Sequence, residues 1–147
     1  MRAVTLRRRN SRGGTLVEFA ICAFLMVIVL LSVVEMARMV LVFTTLANSA
    51  RAAARYAIVH GSSRTGSGTN GPSGPGNNPA EVVLVARNFA STGALDITRL
   101  TITVTYIGGN AVGNFVNVAV SYPYDPLVGY LPLAVPLNSA SRGVIVF

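Results

Sequence analysis

Lysine is absent from this chain of 147 residues, and cysteine and histidine each occur only once. Without lysine, the chain cannot contain the glycine-rich phosphate-binding loop that places a lysine on the phosphates. Cys22 has no second cysteine, which excludes an intramolecular disulfide. His60 has neither another histidine nor a nearby cysteine with which to share a metal ion, so we predict no metal site and no cofactor.

Charged residues are also scarce, at 12% of the chain. Soluble domains carry about 25%, and the deficit therefore points to a membrane. Much of the net charge of +7 comes from five arginines that no acid accompanies: Arg2, Arg7, Arg8, Arg9 and Arg12. A nucleic-acid-binding protein would spread its basic residues over a folded face, so nucleic acid is not an expected partner. A basic cluster directly before an apolar run is instead a topology signal.

The apolar run covers residues 16–34 and is interrupted only by Glu18 and Ser32. As a helix these residues span about 28 Å, which matches the hydrocarbon core of a bilayer at about 30 Å. We therefore predict a transmembrane helix over 16–34. The arginines ahead of it predict a cytoplasmic N-terminus, with everything after the helix exported.

A helical pattern continues over residues 35–60. Apolar residues recur there at alternating spacings of three and four, the period of an amphipathic helix: Met39, Phe43, Leu46, Ala50, Ala53 and Ala57. A separate polar stripe contains Thr44, Asn48, Arg51 and Arg55. Glu35 and Arg38 are three residues apart and can pair on one face. His60 and Gly61 suit a C-terminal cap, so we predict one long helix over 14–60.

Residues 61–79 carry six glycines and three prolines, and we interpret them as a flexible surface loop that contributes nothing to a core. Residues 80–147 are expected to form a small exported domain. Its short helix is predicted to begin with Asn78 as the N-cap, Pro79 at the first helical position and Glu81 three residues past the cap. The helix should end near Ala90, before Gly93.

Two later segments alternate between apolar and polar residues, with a turn-rich linker between them. Their apolar positions are Leu100, Ile102, Val104 and Tyr106 in the first segment and Val116, Val118, Val120 and Tyr122 in the second. This pattern predicts an antiparallel hairpin with one buried face, which the alanine-rich stripe of the long helix should cover. Residues 123–138 contain four prolines and are predicted to be irregular, and residues 141–147 are a candidate third strand.

The predicted fold class is therefore α+β. A long N-terminal helix, with a transmembrane half and an amphipathic half, would pack on a small antiparallel sheet with one short helix.

The small residues that mark a secretory cleavage site should follow an apolar run, but here Gly13 and Gly14 precede it. The stretch "GGTLVEF" resembles the processing site of type IV prepilins, in which a cut after glycine leaves glutamate as the fifth mature residue. A cut after Gly13 places Glu18 fifth and is preferred, whereas a cut after Gly14 places it fourth. Residues 1–13 would then be a basic leader peptide.

A narrower resemblance is to TadE-like pseudopilins. It is carried by Val17-Glu18-Phe19, the apolar run, Glu35 with Arg38, the segment "SARAAARYA" and the later "VAVSYPYDPL". The resemblance implies a pilin-like fold and a minor component of the bacterial tight adherence (Flp-type) pilus apparatus in the inner membrane. It also implies partners: a prepilin peptidase and other pilin or pseudopilin subunits. The C-terminal domain would be periplasmic or extracellular.

Glu18 has two interpretations. A charge at the centre of a membrane helix costs about 2.5–3.5 kcal/mol, and less near an end. Trimming would create a free amine at Gly14, and a staggered neighbouring subunit could pair that amine with Glu18 and set the register, with Phe19 beside it. Alternatively, Glu18 merely complements the dipole of a helix N-terminus. Glu35 and Arg38 likewise form either an interfacial pair between subunits or an ordinary exposed pair.

Two other functions remain open. The chain could be an unprocessed single-pass anchor that carries a binding or sensor module, or an exported enzyme or toxin on a signal anchor. A catalytic site needs titratable groups in a shared pocket. The acids beyond the apolar run are few, and no nucleophile and base recur at a useful spacing, so we expect no enzymatic activity.

Overall fold

The structure is a computed structural model that describes residues 12–93, 95–127 and 135–147. Helix α1 spans Arg12–Val59 and helix α2 spans Ala80–Ser91, while strands β1, β2 and β3 span Thr101–Ile107, Phe115–Tyr124 and Val135–Val144. The predicted α+β class, with a long N-terminal helix, a small antiparallel sheet and one short α-helix, is confirmed. The chain divides after Met36 into two compact units, residues 1–36 and residues 37–147.

In the first unit, α1 is apolar on every side. The large apolar side chains from Leu16 to Val34 are 44–72% exposed, and α1 is long and apolar enough to cross a membrane. Its one hydroxyl in the apolar run, that of Ser32, donates a 2.8 Å hydrogen bond to the carbonyl oxygen of Ile28. The polar group is therefore satisfied within the helix, as lipid surroundings require.

In the second unit, α1 has one buried stripe. Leu46, Ala50, Ala53 and Ala57 are fully buried, as predicted, but Phe43 is 47% exposed and the prediction that it joins the stripe is wrong. A helix turns about 100° per residue. The residue four before Leu46 therefore lies closer to the stripe than the residue three before it, and Val42 packs against the core in place of Phe43.

Residues 61–79, predicted to be a surface loop, are tied to the rest of the second unit by hydrogen bonds. Ser73 is 2% exposed, and its backbone N–H donates a 2.7 Å hydrogen bond to the carbonyl oxygen of His60. The Tyr56 hydroxyl donates to the carbonyl oxygen of Thr69 at 2.9 Å. Hydrogen bonds from backbone and side-chain donors to carbonyl oxygens therefore hold this segment at the end of α1.

The predicted cap of α2 is wrong. Asn78 has a φ of +56°, and Pro79 is the N-cap residue, without a side-chain cap hydrogen bond. The Asn78 side chain instead accepts a 2.6 Å hydrogen bond from the Val104 N–H, and its backbone N–H donates to the Val104 carbonyl oxygen at 3.0 Å. Asn78 therefore occupies part of the outer edge of β1, where unpaired backbone groups would otherwise be exposed.

The sheet has the order β1-β2-β3 and is antiparallel throughout. Val104 pairs with Val118, and Val118 pairs with Ser141. The prediction for the third strand is wrong in extent, because β3 runs over Val135–Val144 and includes Pro136. Pro136 pairs with Pro123, which lies beyond the last β2 residue paired with β1. At such an edge the missing proline N–H groups break no interior ladder.

The core of the second unit lies between the sheet and both helices. Val104, Val116 and Val118 on the sheet are fully buried, as are Val82 and Ala86 of α2. Burying one such valine contributes on the order of 1.5–3 kcal/mol. The alanines of α1 complete the same cluster, and their small size lets the helix backbone approach the sheet closely.

Candidate functional site

Gly13 and Gly14 lie in the first turn of α1 and are exposed. A methyl group added at either residue would meet no atom within 4 Å. Glycine inside a helix costs about 0.5–1 kcal/mol relative to alanine. Packing in the described chain therefore gives no reason for this glycine pair.

Glu18 and Phe19 project from α1, and both are exposed, Phe19 to 72%. Both interpretations of Glu18 stay open: it could pair with a neighbouring subunit, or it could complement the dipole of a helix N-terminus.

The predicted topology signal falls mostly outside the described residues. Arg7, Arg8 and Arg9 lie there, while Arg12 is the first residue of α1. Their role in orientation therefore stays a prediction.

Arg38 lies at the start of the second unit, and the division between the units falls between it and Glu35. The Arg38 guanidinium carbon lies 5.7 Å from the centroid of the Tyr124 ring, and that ring is only 2% exposed. The sequence predicts a pairing of Arg38 with Glu35. The stacking of Arg38 on a tyrosine from the end of β2 is a contact that helical spacing alone could not reveal.

Arg38 and Tyr124 line a cleft of about 230 Å³, which we call the tyrosine cleft. Its lining side chains come from α1, from the segment after α2 and from the end of β2, and they include Arg38, Leu41, Leu95, Tyr122, Tyr124 and Asp125. The sequence segment "SYPYDP" contributes three of them, Tyr122, Tyr124 and Asp125.

Asp125 is held at the cleft by Arg99. The two side chains form a salt bridge with an N–O distance of 2.6 Å, and the Arg99 guanidinium carbon lies 5.7 Å from the centroid of the Tyr122 ring. The hydrogen bond from Arg99 lowers the pKa of Asp125, and the same bond raises the pKa of Arg99. The charged side chains that line the cleft are therefore Arg38 and Asp125, and Arg99 holds Asp125 from outside the lining.

A buried polar network ties down the far end of α1. The Ser73 hydroxyl lies 2.8 Å from the His60 carbonyl oxygen and 2.7 Å from the Tyr106 hydroxyl. Burial raises the pKa of Tyr106. His60 places Nδ1 2.8 Å from the carbonyl oxygen of Tyr56 and stacks on the Tyr56 ring at 3.7 Å. These contacts place His60 at the end of α1, as predicted. The network therefore holds the end of the helix in place.

Within the described ranges, no group of three or more histidine, cysteine, aspartate or glutamate side chains is placed to hold a metal ion. Cys22 is exposed on α1.

Residues 13–55 match the family model of TadE-like proteins. The match covers the glycine pair, Glu18, the whole apolar run, Arg38 and most of the buried stripe of α1. No curated protein and no solved structure matches the chain. The match covers less than half of the chain, and it makes this part of the chain similar to proteins associated with the Tad pilus.

Proposed function

We propose that this chain is a minor pilin-like subunit of a bacterial tight adherence pilus or a related secretion apparatus, that a prepilin peptidase trims it after Gly13, and that it acts by helix-to-helix assembly. The observation that carries the proposal is Glu18 on an α1 surface that is exposed and apolar on all sides. The family match over the same residues supports it.

The first step of the argument concerns the glycine pair. A peptidase must bind an extended stretch of backbone at the bond it cuts, and glycine lowers the cost of leaving a helix at that point. Gly13 and Gly14 are exposed and make no packing contact that would resist this local unwinding. Their presence is explained if they are substrate positions for another protein.

The second step concerns the charge on Glu18. After a cut at Gly13, the new amine on Gly14 lies four residues from Glu18, about 6 Å along the helix axis. A neighbouring helix shifted by this distance brings its amine level with Glu18. The pairing would offset the cost of placing the carboxylate near lipid, so only one stagger between subunits would be favoured. Phe19 would then pack beside the pair.

The third step concerns orientation and location. We propose that residues 16–34 span the bacterial inner membrane, with the arginine-rich leader in the cytoplasm and the second unit periplasmic or extracellular. The second unit would then supply a folded domain outside the membrane while α1 makes the subunit contacts.

The experiment compares the parent chain with Glu18→Gln, and with Glu81→Gln as a matched control in α2, in cells that contain an active prepilin peptidase. Intact mass of the membrane-extracted protein reports trimming, and cross-linking along α1 reports assembly. We expect the parent and the control to begin at Gly14 and to cross-link with partner subunits, and Glu18→Gln to lose cross-linking. Parent protein that still begins at Met1 would instead support an unprocessed membrane-anchored binding or sensor module.

A further inference from the structure

We propose that the outer edge of β3 binds an extended, acidic segment of another protein as an added strand of the sheet. Arg142 would face the acidic residue of that segment, and Val144 would face an apolar one. The inference goes beyond the proposed function, because it concerns the second unit alone and holds whether or not the chain is trimmed.

The outer edge of β3 carries backbone groups without a hydrogen-bond partner among the described residues. The Ile145 N–H donates a 2.9 Å hydrogen bond to the Asn114 carbonyl oxygen. In an antiparallel ladder, Ile145 and every second residue before it therefore turn their backbone groups toward β2. The residues between them turn theirs away from the sheet: Asn138, Ala140, Arg142 and Val144. Such a row of outward groups is the template on which an extended peptide adds a strand.

The opposite edge of the sheet confirms this alternation and is itself partly covered. Asn78 bonds to both the N–H and the carbonyl oxygen of Val104 on the outer side of β1. Because Val104 turns outward, its partner Val118 turns its own backbone groups toward Ser141 in β3. The two edges therefore differ, and β3 is the one open to an added strand in the part of the sheet that is described.

The outer face of the sheet carries an exposed apolar row that ends at this edge. Val116 and Val118 are buried on the inner face, so alternate residues of β2 and their partners lie on the outer face. There Ile107, Phe115 and Val144 pair directly across the three strands, and they are 49%, 41% and 43% exposed. Side chains paired across strands interact, and an apolar residue of an added strand would continue this row.

Arg142 gives the open edge its charge. Its guanidinium carbon lies 4.2 Å from the centroid of the Phe115 ring, which holds the cation over the apolar row. Arg142 forms no salt bridge with any described residue. Opposite charges paired across strands stabilise a sheet, and like charges destabilise it. The residue opposite Arg142 on an added strand should therefore be an acid.

The same requirement argues that the occupant is another protein and not a second copy of this chain. The acids of the chain all lie outside β1, β2 and β3: Glu18, Glu35, Glu81, Asp96 and Asp125. A strand from a second copy could extend the backbone ladder, but it would place no carboxylate opposite Arg142. A segment in which acidic and apolar residues alternate with others satisfies both the edge and the charge.

The test uses the full chain in detergent and a capped peptide of about eight residues, the length of an ordinary strand. Valine and glutamate alternate on one face of the peptide, and threonine fills the other face. A matched peptide carries lysine in place of glutamate. Amide hydrogen exchange, read by NMR, should slow at Ala140, Arg142 and Val144 with the acidic peptide and remain unchanged with the lysine peptide. Exchange at Ser139 and Ser141, which already face β2, should not respond.

Three variants separate the charge from the backbone edge. Arg142→Glu should bind the acidic peptide about tenfold more weakly and prefer the lysine peptide, because attraction becomes repulsion. Arg87→Glu changes an exposed arginine of α2 and should bind like the parent. Ala140→Pro removes one outward N–H without breaking a bond to β2. It should melt like the parent and lose the protection by the acidic peptide.

Several results would overturn the proposal. One is equal binding of the two peptides by the parent, and another is undiminished binding of the acidic peptide by folded Ala140→Pro. Slow exchange at Ala140, Arg142 and Val144 in the parent without peptide would also overturn it, since the edge would then already be covered. None of these results affects the trimming and cross-linking expected of Glu18.

Discussion

The Ser49 hydroxyl in α1 donates a 2.8 Å hydrogen bond to the carbonyl oxygen of Ala86 in α2, and both residues are fully buried. A second close approach lies nearby, because a methyl group added to Gly93 would come within 2.7 Å of the Thr45 hydroxyl oxygen. One buried polar bond therefore joins α1 to α2, and a small residue lets α1 approach the turn that follows α2. Larger side chains at these positions would separate them.

Replacing Ser49 should destabilise the second unit in a graded way. Ser49→Ala loses one buried hydrogen bond, and we expect the free energy of unfolding to fall by about 1 kcal/mol. Ser49→Leu adds volume that the close packing cannot accept, and the loss should exceed that of the alanine variant by about 1–3 kcal/mol. Urea unfolding of the full chain in detergent, followed by near-ultraviolet circular dichroism of the tyrosines, measures both. Asn48→Ala is the exposed control, and an equal loss in that variant would contradict the assignment.

Gly61 should tolerate no side chain. A methyl group there would overlap the carbonyl oxygen of Phe147 and lie 2.8 Å from that of Asn110. Both are backbone atoms that cannot move aside as a flexible side chain does. We expect Gly61→Ala to lower the free energy of unfolding by about 3 kcal/mol or more. Gly76→Ala is the matched control, since a methyl group there meets nothing within 4 Å. A Gly61→Ala variant as stable as this control would show that the two approaching segments separate easily.

The spacing of apolar residues predicted most of the architecture. In a helix or a strand, the spacing of residues along the sequence fixes which of them share the buried face. The buried alanines of α1 and the valines of β1 and β2 occupy the predicted positions. The prediction for Phe43 was wrong for a geometric reason. A helix turns about 100° per residue, so positions reached by successive steps of three and four residues do not all stay on the buried face. Pro136 made β3 hard to predict from the sequence. Proline fits a strand only where one side of the strand has no hydrogen-bonded neighbour, and only the order of the strands in the sheet shows where that is.

Contacts between distant segments could not be predicted in this way. Asn78 has the sequence context of a helix cap, yet it bonds to Val104, 26 residues away. In the tyrosine cleft, Arg38 lies over Tyr124, although the two residues are far apart along the sequence. The two partners have no characteristic spacing, so the residues of the cleft could be found only once the sheet was placed against α1.

The salt bridge between Arg99 and Asp125 should contribute a stability term that acid removes. Its hydrogen bond lowers the pKa of Asp125 in the folded chain, relative to an ordinary value of about 3.9 in the unfolded chain. The folded state then binds fewer protons, so the stabilisation is present above about pH 4. It is lost as pH falls through the lower pKa of the folded state. Urea midpoints measured at successive pH values should show this loss.

Asp125→Asn should remove part of that dependence of stability on pH. In the parent chain, added salt should weaken the contribution of the salt bridge, because the pair is partly exposed. Asp96→Asn is a useful comparison, because the pKa of Asp96 is lowered mainly by the Thr98 hydroxyl rather than by an arginine. Its contribution should therefore resist salt better. An acid profile of Asp125→Asn identical to that of the parent would mean that the salt bridge does not persist in solution.

Cys22 allows the predicted orientation to be tested, because it is the one cysteine of the chain. In a Cys22→Ser background, Ser91→Cys places a thiol at the exposed end of α2, while Thr5→Cys places one in the arginine-rich leader. We expect a maleimide that crosses the outer but not the inner membrane to label position 91 and to leave position 5 unlabelled, because arginines beside a membrane helix stay in the cytoplasm. To prevent trimming from removing the leader, the cells should lack the prepilin peptidase.

Replacing Arg7, Arg8 and Arg9 together by serine should raise labelling at position 5 and lower it at position 91. Label at position 5 of the chain with its arginines intact would reverse the proposed topology, and the second unit could then not be exported.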